Sequence, residues 1–195
     1  MIAKLTGILI LGLINITGLR SKEVKVIRAP DKGIEAKVIG SNKVMAQEES
    51  FEPHWLEIEK IDLSVEVIGV GLNEKKAMIV PEENNLVSWY KNGTVPGEVG
   101  SAVLSGHYEW REAGVFKRLG EVEVGDIIKL KDNNGTEKLF RVSKRAIYDK
   151  NNFPMKEVFS SKDKKRLNLI TCYGRFNRAT KLYEDRLVVF AELEE

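Results

Sequence analysis

The chain carries one cysteine, two histidines and five prolines in 195 residues, and these scarcities narrow its chemistry first. A single cysteine excludes an intramolecular disulfide, so the fold must rest on its core alone. Cys172, His54 and His107 lie far apart in sequence with no carboxylate at ligand spacing, so no metal site is assembled and no cofactor is expected. No glycine-rich phosphate loop leads into a helix, and no Gly-x-Ser-x-Gly elbow occurs. An excess of one charge is also lacking. The 31 basic and 29 acidic residues leave a net charge of +2, spread along the whole length, so no basic arm points to nucleic acid. What remains is 43% apolar and 31% charged, an ordinary globular balance that can fill one core.

Long apolar runs are absent except at the start, where Leu5 to Leu19 pass without a charge. The run approaches the roughly 20 residues that span a bilayer once Met1 to Ala3 are added, and Lys4 can snorkel to the interface. No small-x-small cleavage pattern follows, because Arg20, Ser21 and Lys22 come next. Residues 1–20 are therefore expected to be an uncleaved membrane anchor. Arg20, Lys22, Lys25 and Arg28 lie after the run, and the positive-inside rule taken literally favours the reverse topology to an outward-facing domain. From 21 to 52, charges alternate with isolated Val and Ile and no period persists, which predicts a stalk or linker.

From residue 53 to 195 the pattern becomes short apolar runs separated by turn residues, the expected catalytic domain. The runs are Trp55 to Ile61, Val65 to Val70, Ala77 to Val80, Ser101 to Gly106, Ile127 to Lys131, Lys138 to Tyr148, Leu167 to Cys172 and Arg186 to Leu193. Pro96-Gly97, Gly125-Asp126 and the hairpin signal Asp132-Asn-Asn-Gly135 punctuate them. Strands at this spacing predict a mainly β fold, a closed or nearly closed β-barrel. Short connecting helices are expected at Val115 to Leu119 and Pro154 to Lys165, too few for an α/β sheet with crossovers.

Cys172, His107 and Arg186 each stand at the start or end of an expected strand. A thiol attacks a carbonyl as thiolate and needs a basic or cationic neighbour. His107 follows a strand and a glycine, Gly106, whose missing side chain lets a ligand or another strand approach. His54, beside Pro53 at the linker junction, has the weaker claim. Acyl transfer builds negative charge on an oxygen, and Arg186, entering an otherwise apolar strand, needs a partner to offset its desolvation. That partner is either Glu184, Asp185 or another carboxylate, or it is a substrate carbonyl. A lone cysteine is also commonly an inert small hydrophobe, so a non-catalytic β-barrel binding module and a membrane-tethered cysteine hydrolase remain alternatives.

Four segments resemble the sortases, cysteine transpeptidases of Gram-positive surfaces. Val95 to His107 is similar to that family's histidine strand, and Phe116 to Leu119 with Gly125 to Leu130 to its connector and next strand. Leu169-Ile-Thr-Cys172 fits the Leu-x-Thr-Cys signature, and Asp185 to Val189 the arginine strand. The resemblance implies a closed sortase-type barrel of about eight strands. It implies that Cys172 attacks the Thr-Gly bond of an LPxTG-like sorting signal, with His107 as acid and base and Arg186 on the substrate backbone or oxyanion. Thr171, Ser105 and Gly106 would lie beside the substrate. The implied partners are surface proteins bearing a sorting signal and an amine of a peptidoglycan precursor, met outside the membrane from the N-terminal anchor. The last strand runs to the end of the sequence with no following span, and no Asp-Pro-aromatic lid precedes the domain. Both features favour a housekeeping-like, class D-like or class F-like anchoring type over a pilus-polymerising one. The loop Tyr148 to Met155 and the helix after it are expected to wall the groove. Glu109, Glu112 and Asp149 either line a surface ion site or are simply solvated.

Overall fold

A computed structural model describes residues 50–110 and 112–194. Ten strands appear in chain order: β1 (Trp55–Ile58), β2 (Leu63–Val70), β3 (Val87–Tyr90), β4 (Gly100–Gly106), β5 (Glu109–Trp110), β6 (Glu112–Ala113), β7 (Ile127–Lys131), β8 (Glu137–Asp149), β9 (Lys165–Asn177) and β10 (Leu182–Leu193), with helix α1 (Met155–Phe159) between β8 and β9. Eight of them close a barrel in the order β1-β2-β3-β4-β9-β10-β8-β7, and β5 with β6 forms a separate two-stranded ribbon. Trp55 of β1 pairs with Lys131 of β7, so the sheet has no free edge. The pairs β2–β3 and β4–β9 are parallel; the other barrel pairs are antiparallel.

Alternation gives every barrel strand an inward apolar face, and β4, β9 and β10 a second one outside. Leu56, Ile58, Val67, Trp89, Leu104, Ile128, Leu130, Phe140, Leu169, Leu187 and Val189 point inward and fill the barrel. Val103, Ile170, Val188 and Phe190 point outward and are covered by Val158 of α1. The strands from Gly100 and Lys165 onward thus read as nearly continuous apolar runs because both their faces are buried.

The expected eight-stranded barrel is therefore present, but one member differs. Ala77 to Val80 forms no strand and contributes only an isolated bridge, Leu72 to Met78. Its place is taken by β3, a four-residue segment too short to show a period of its own and held by parallel pairing to β2. Trp55 to Ile61 stops as a strand at Ile58 and becomes a 3₁₀ turn, which Asp62 closes with a left-handed φ of 52°. Asp132-Asn-Asn-Gly135 does connect β7 to β8: the Asp132 carboxylate accepts from the amides of Asn134 and Thr136, and Gly135 takes φ +82°. The helix expected over Pro154 to Lys165 is limited to α1, and the 3₁₀ turn near Val115 to Leu119 lies at Leu119–Glu121.

Phe51 is already packed into the core, with the Lys138 ammonium 4.9 Å from its ring centroid, so part of the expected linker belongs to the packed domain. The expected anchor, 1–20, and most of the linker lie outside the described residues. No helix among the described residues is long and apolar enough to cross a membrane.

Paired carboxylates stitch the outside of the barrel. Lys131 bonds the Glu57 carboxylate, which holds it below its ordinary value of 4.5. Lys144 acts likewise on Glu157, Arg118 on Glu121 and Arg175 on Glu184. A carboxylate that binds its proton more weakly when folded stabilises the fold above its unfolded value, and that contribution is lost as pH falls through the folded value. The thermal midpoint is therefore expected to be flat through neutrality and to decline once pH drops below about 4.5. Scanning calorimetry across that range checks it, and a midpoint unchanged down to about pH 3 would contradict it.

Candidate active site

Strand register brings the three chemical groups together. Arg186 of β10 pairs directly with Cys172 of β9, and directly paired residues share a face. β4 runs parallel to β9 with Ser105 opposite Ile170. The ladder ends there; carried two residues on, past the end of β4, the same register would set His107 opposite Cys172. A hydrogen bond from the Thr171 hydroxyl to the Gly106 carbonyl, 2.9 Å, locks that alignment. On the far side of Arg186, Tyr148 of β8 continues the row. His107, Cys172, Arg186 and Tyr148 thus form one cross-strand line on the outer face. The thiol in this line is half-buried.

His107 is oriented through its ring. Nε2 lies 2.7 Å from the Pro81 carbonyl. A carbonyl only accepts, so Nε2 carries the proton, and Nδ1 is the basic atom of the neutral ring. Arg186 donates through Nη1 to the carbonyls of Tyr183, 3.2 Å, and Asp185, 2.8 Å. Among the described residues it forms no ion pair with a carboxylate. Glu184 is held instead by the Arg175 fork at 2.8 and 3.1 Å. The Asp185 side chain sits against Gly174, where a Cβ would come within 2.2 Å of Oδ2. The positive charge of Arg186 is thus fixed in direction by backbone dipoles, and its Nε and Nη2 donors are left for another acceptor.

A groove of about 790 Å³ leads to this row. Ser105, Ile170 and Arg186 form part of its floor, Met78 and Val80 one wall, and Phe153, Met155 and Phe159 the other. The loop after β8 and α1 therefore wall it, as expected from the sequence. A second cavity of about 520 Å³, bordered by Trp55, Glu66 and Leu86, lies off the row, and none of the three groups lines it.

Two of the expected substrate contacts serve packing. Thr171 is buried, and its hydroxyl is committed to Gly106. It therefore ties β9 to β4 and does not face the groove. At Gly106 it is not a ligand that approaches. A Cβ there would fall 2.6 Å from Val115 Cγ1 and 2.8 Å from Phe116 Cδ2. Gly106→Ala is expected to cost about 1–3 kcal/mol, because Phe116 is fully buried and cannot yield. Urea unfolding measures it; a change under about 0.5 kcal/mol would show that the site relaxes freely. His54 is exposed and distant in register from the row. Glu109 pairs with Lys117, and Asp149 accepts from the Asn151 amide to cap a turn. No group of three or more metal-binding side chains forms among the described residues.

Sequence reading overlooked Asn168. It lies on the face of Ile170 and Cys172, fully buried, and donates to the Val158 carbonyl at 2.6 Å, pinning α1 over the groove. The available signal was a lone amide in an otherwise apolar strand. Tyr148 is expected from the sequence at a strand end and in a groove wall, but its cross-strand adjacency to Arg186 leaves no trace in sequence.

A closed eight-stranded barrel with a thiol, an imidazole and a guanidinium aligned on its outer face defines the class as a β-barrel with a candidate thiol acyl-transfer site. The chain belongs to the sortase family: the family model described as "Sortase domain" matches residues 56–194. Members of that family are cysteine transpeptidases. Among curated proteins, Sortase D of Bacillus subtilis is 37% identical over 87 residues, a stretch covering 45% of this chain and 40% of that protein. The match thus spans about two fifths of that relative. Among solved structures, sortase C1 of Streptococcus suis aligns with TM-score 0.57 at 18% identity, over 75% of this chain and 74% of that one. Sortase C of Clostridium perfringens aligns with TM-score 0.55 at 20% identity, over 73% and 70%. A Clostridium perfringens Sortase D5 transpeptidase aligns with TM-score 0.54 at 21% identity, over 72% and 78%. At these identities the structural likeness is one of fold.

Proposed function

We propose that the chain is a transpeptidase that cleaves an LPxTG-like sorting signal between Thr and Gly and transfers the acyl group to an amine of a cell-wall precursor. The observation that carries this reading is the cross-strand pair of Cys172 and Arg186, in register with the end of β4 that leads to His107, beside a largely apolar groove that Arg186 lines. The Cys172 thiolate attacks the Thr carbonyl carbon, and the developing oxyanion is met by the free donors of Arg186. Collapse expels the Gly amine, which takes a proton from the His107 imidazolium. The acceptor amine then attacks the thioester carbonyl, its proton passes to His107, and the thiolate is released. Ser105, in the groove floor, offers a polar contact to the peptide. Thr171 and Gly106 act by holding the register.

The uncharged run Leu5 to Leu19 supports an N-terminal anchor, 1–20, and family membership, not the flanking charges, supports a catalytic domain outside the membrane with surface proteins bearing sorting signals as donors. The sequence likeness to Sortase D supports a class D-like type, while the sortase C and Sortase D5 structures are alike in fold to the same degree.

The test is product analysis by mass spectrometry. The protein is incubated with a set of LPxTG-like peptides, with and without an amine, alongside Cys172→Ala. Expected are a Thr-amine conjugate when amine is present, slower release of free acid without it, and neither with the variant. Ligation that survives in Cys172→Ala, or no cleavage of any peptide, would overturn the reading. Free acid alone at every amine concentration would assign a hydrolase instead.

A further inference from the structure

Beyond the end of the row, on the side away from the groove, lies a second assembly of chemistry-bearing side chains. Tyr108 follows His107, Tyr173 follows Cys172 and packs against the barrel core, and Tyr183 lies three residues before Arg186, opposite Phe176 of β9. The Tyr108 ring meets Tyr173 edge-on at 5.7 Å and Tyr183 at 5.4 Å between centroids. The Tyr183 hydroxyl donates to the Glu109 carboxylate. Tyr183 is pushed up to about 12, first by burial and then by its hydrogen bond to the Glu109 carboxylate. The chain's own Lys117 ammonium occupies this shelf: it lies 4.5 Å from the Tyr108 centroid and pairs with Glu109.

A carboxylate beside aromatic faces is a recognition site for a primary ammonium, and Lys117 is the ammonium already there. We propose that this shelf of Tyr108, Tyr183 and Glu109 is the seat of the acceptor, bound as a primary ammonium, and that Lys117 is its built-in competitor. This deepens the transpeptidase reading and rests on it. The acyl chain fills the groove on one side of Cys172. The leaving amine departs on the other, and the entering amine must arrive where the leaving one departed. Lys117 and Glu109 side chains are 38% and 43% exposed, so the pair can exchange with an incoming cation. Once seated, the ammonium releases one proton to solvent and attacks as the neutral amine, whose surplus proton passes to His107 as the amide forms.

The proposal makes two variants of one ion pair act in opposite directions. With Nα-acetyl-lysine amide and glycinamide as acceptor probes, Glu109→Gln is expected to raise the acceptor KM about tenfold, and Lys117→Met to lower it severalfold. The preference for either probe over hydroxylamine, a neutral nucleophile, should fall about tenfold in Glu109→Gln. A merely structural pair predicts that both variants shift the thermal midpoint alike and leave acceptor KM and that preference unmoved; this result would overturn the proposal. Titrating Cys172→Ala with the same probes, followed by tyrosine resonances in NMR, reads the shelf without turnover. Shifts at Tyr108 and Tyr183 that vanish on adding Glu109→Gln support it even if no peptide is cleaved, and their absence in the parent counts against it.

Discussion

Arg186→Lys is expected to lower kcat/KM for peptide cleavage by about 100-fold to 1000-fold, the range for removing a preorganised oxyanion donor. The charge is retained, so the loss isolates geometry. Nη1 is spent on the Tyr183 and Asp185 carbonyls, which hold the guanidinium plane in place while Nε and Nη2 stay available. A lysine ammonium that satisfied those carbonyls would have no fixed fork left to offer. Steady-state kinetics with a fluorogenic peptide measure the effect, and the thermal midpoint should move little, because no carboxylate among the described residues depends on Arg186 for charge balance. Turnover within threefold of the parent would reduce Arg186 to an organiser of the β9–β10 strand end.

His107→Gln is expected to reduce turnover by about 100-fold to 10,000-fold, the range for losing a positioned acid and base. Glutamine is chosen because its amide can still donate to the Pro81 carbonyl, the bond that Nε2 makes at 2.7 Å. The 81 loop therefore stays tethered while the proton carrier is gone. Acylation and deacylation both pass a proton through this residue in the proposed reaction, so a burst of first product should disappear together with the steady rate. A variant that keeps the burst and loses only the second phase would show that His107 serves the acceptor half alone.

The sequence was strongest where physics is local. Alternating apolar runs bounded by Pro96-Gly97 and Asp132-Asn-Asn-Gly135 announced a barrel; Cys172 and Arg186, expected at strand ends, lie inside β9 and β10, which run on to Asn177 and begin at Leu182. It misplaced Ala77 to Val80 and overlooked β3, because a short strand owes its existence to pairing with β2 and not to its own pattern. Gly106 and Thr171 were legible as important, but the contacts they make within the fold were not. A glycine that admits a ligand and one that admits Phe116 look alike until the partner is known.

By itself the sequence determined composition, strand chemistry and the inventory of groups. Only the tertiary structure decided which of them meet. Cys172 and Arg186 are neighbours because β9 and β10 pair in one register, and a slip by one residue would turn either side chain into the barrel. His107 joins them through the parallel β4–β9 ladder, a contact between segments 65 residues apart that the Thr171 to Gly106 bond fixes in place. Long-range register is set by the fit of two faces at once, the filled barrel inside and the α1-covered patch outside, and neither fit is written in any single segment.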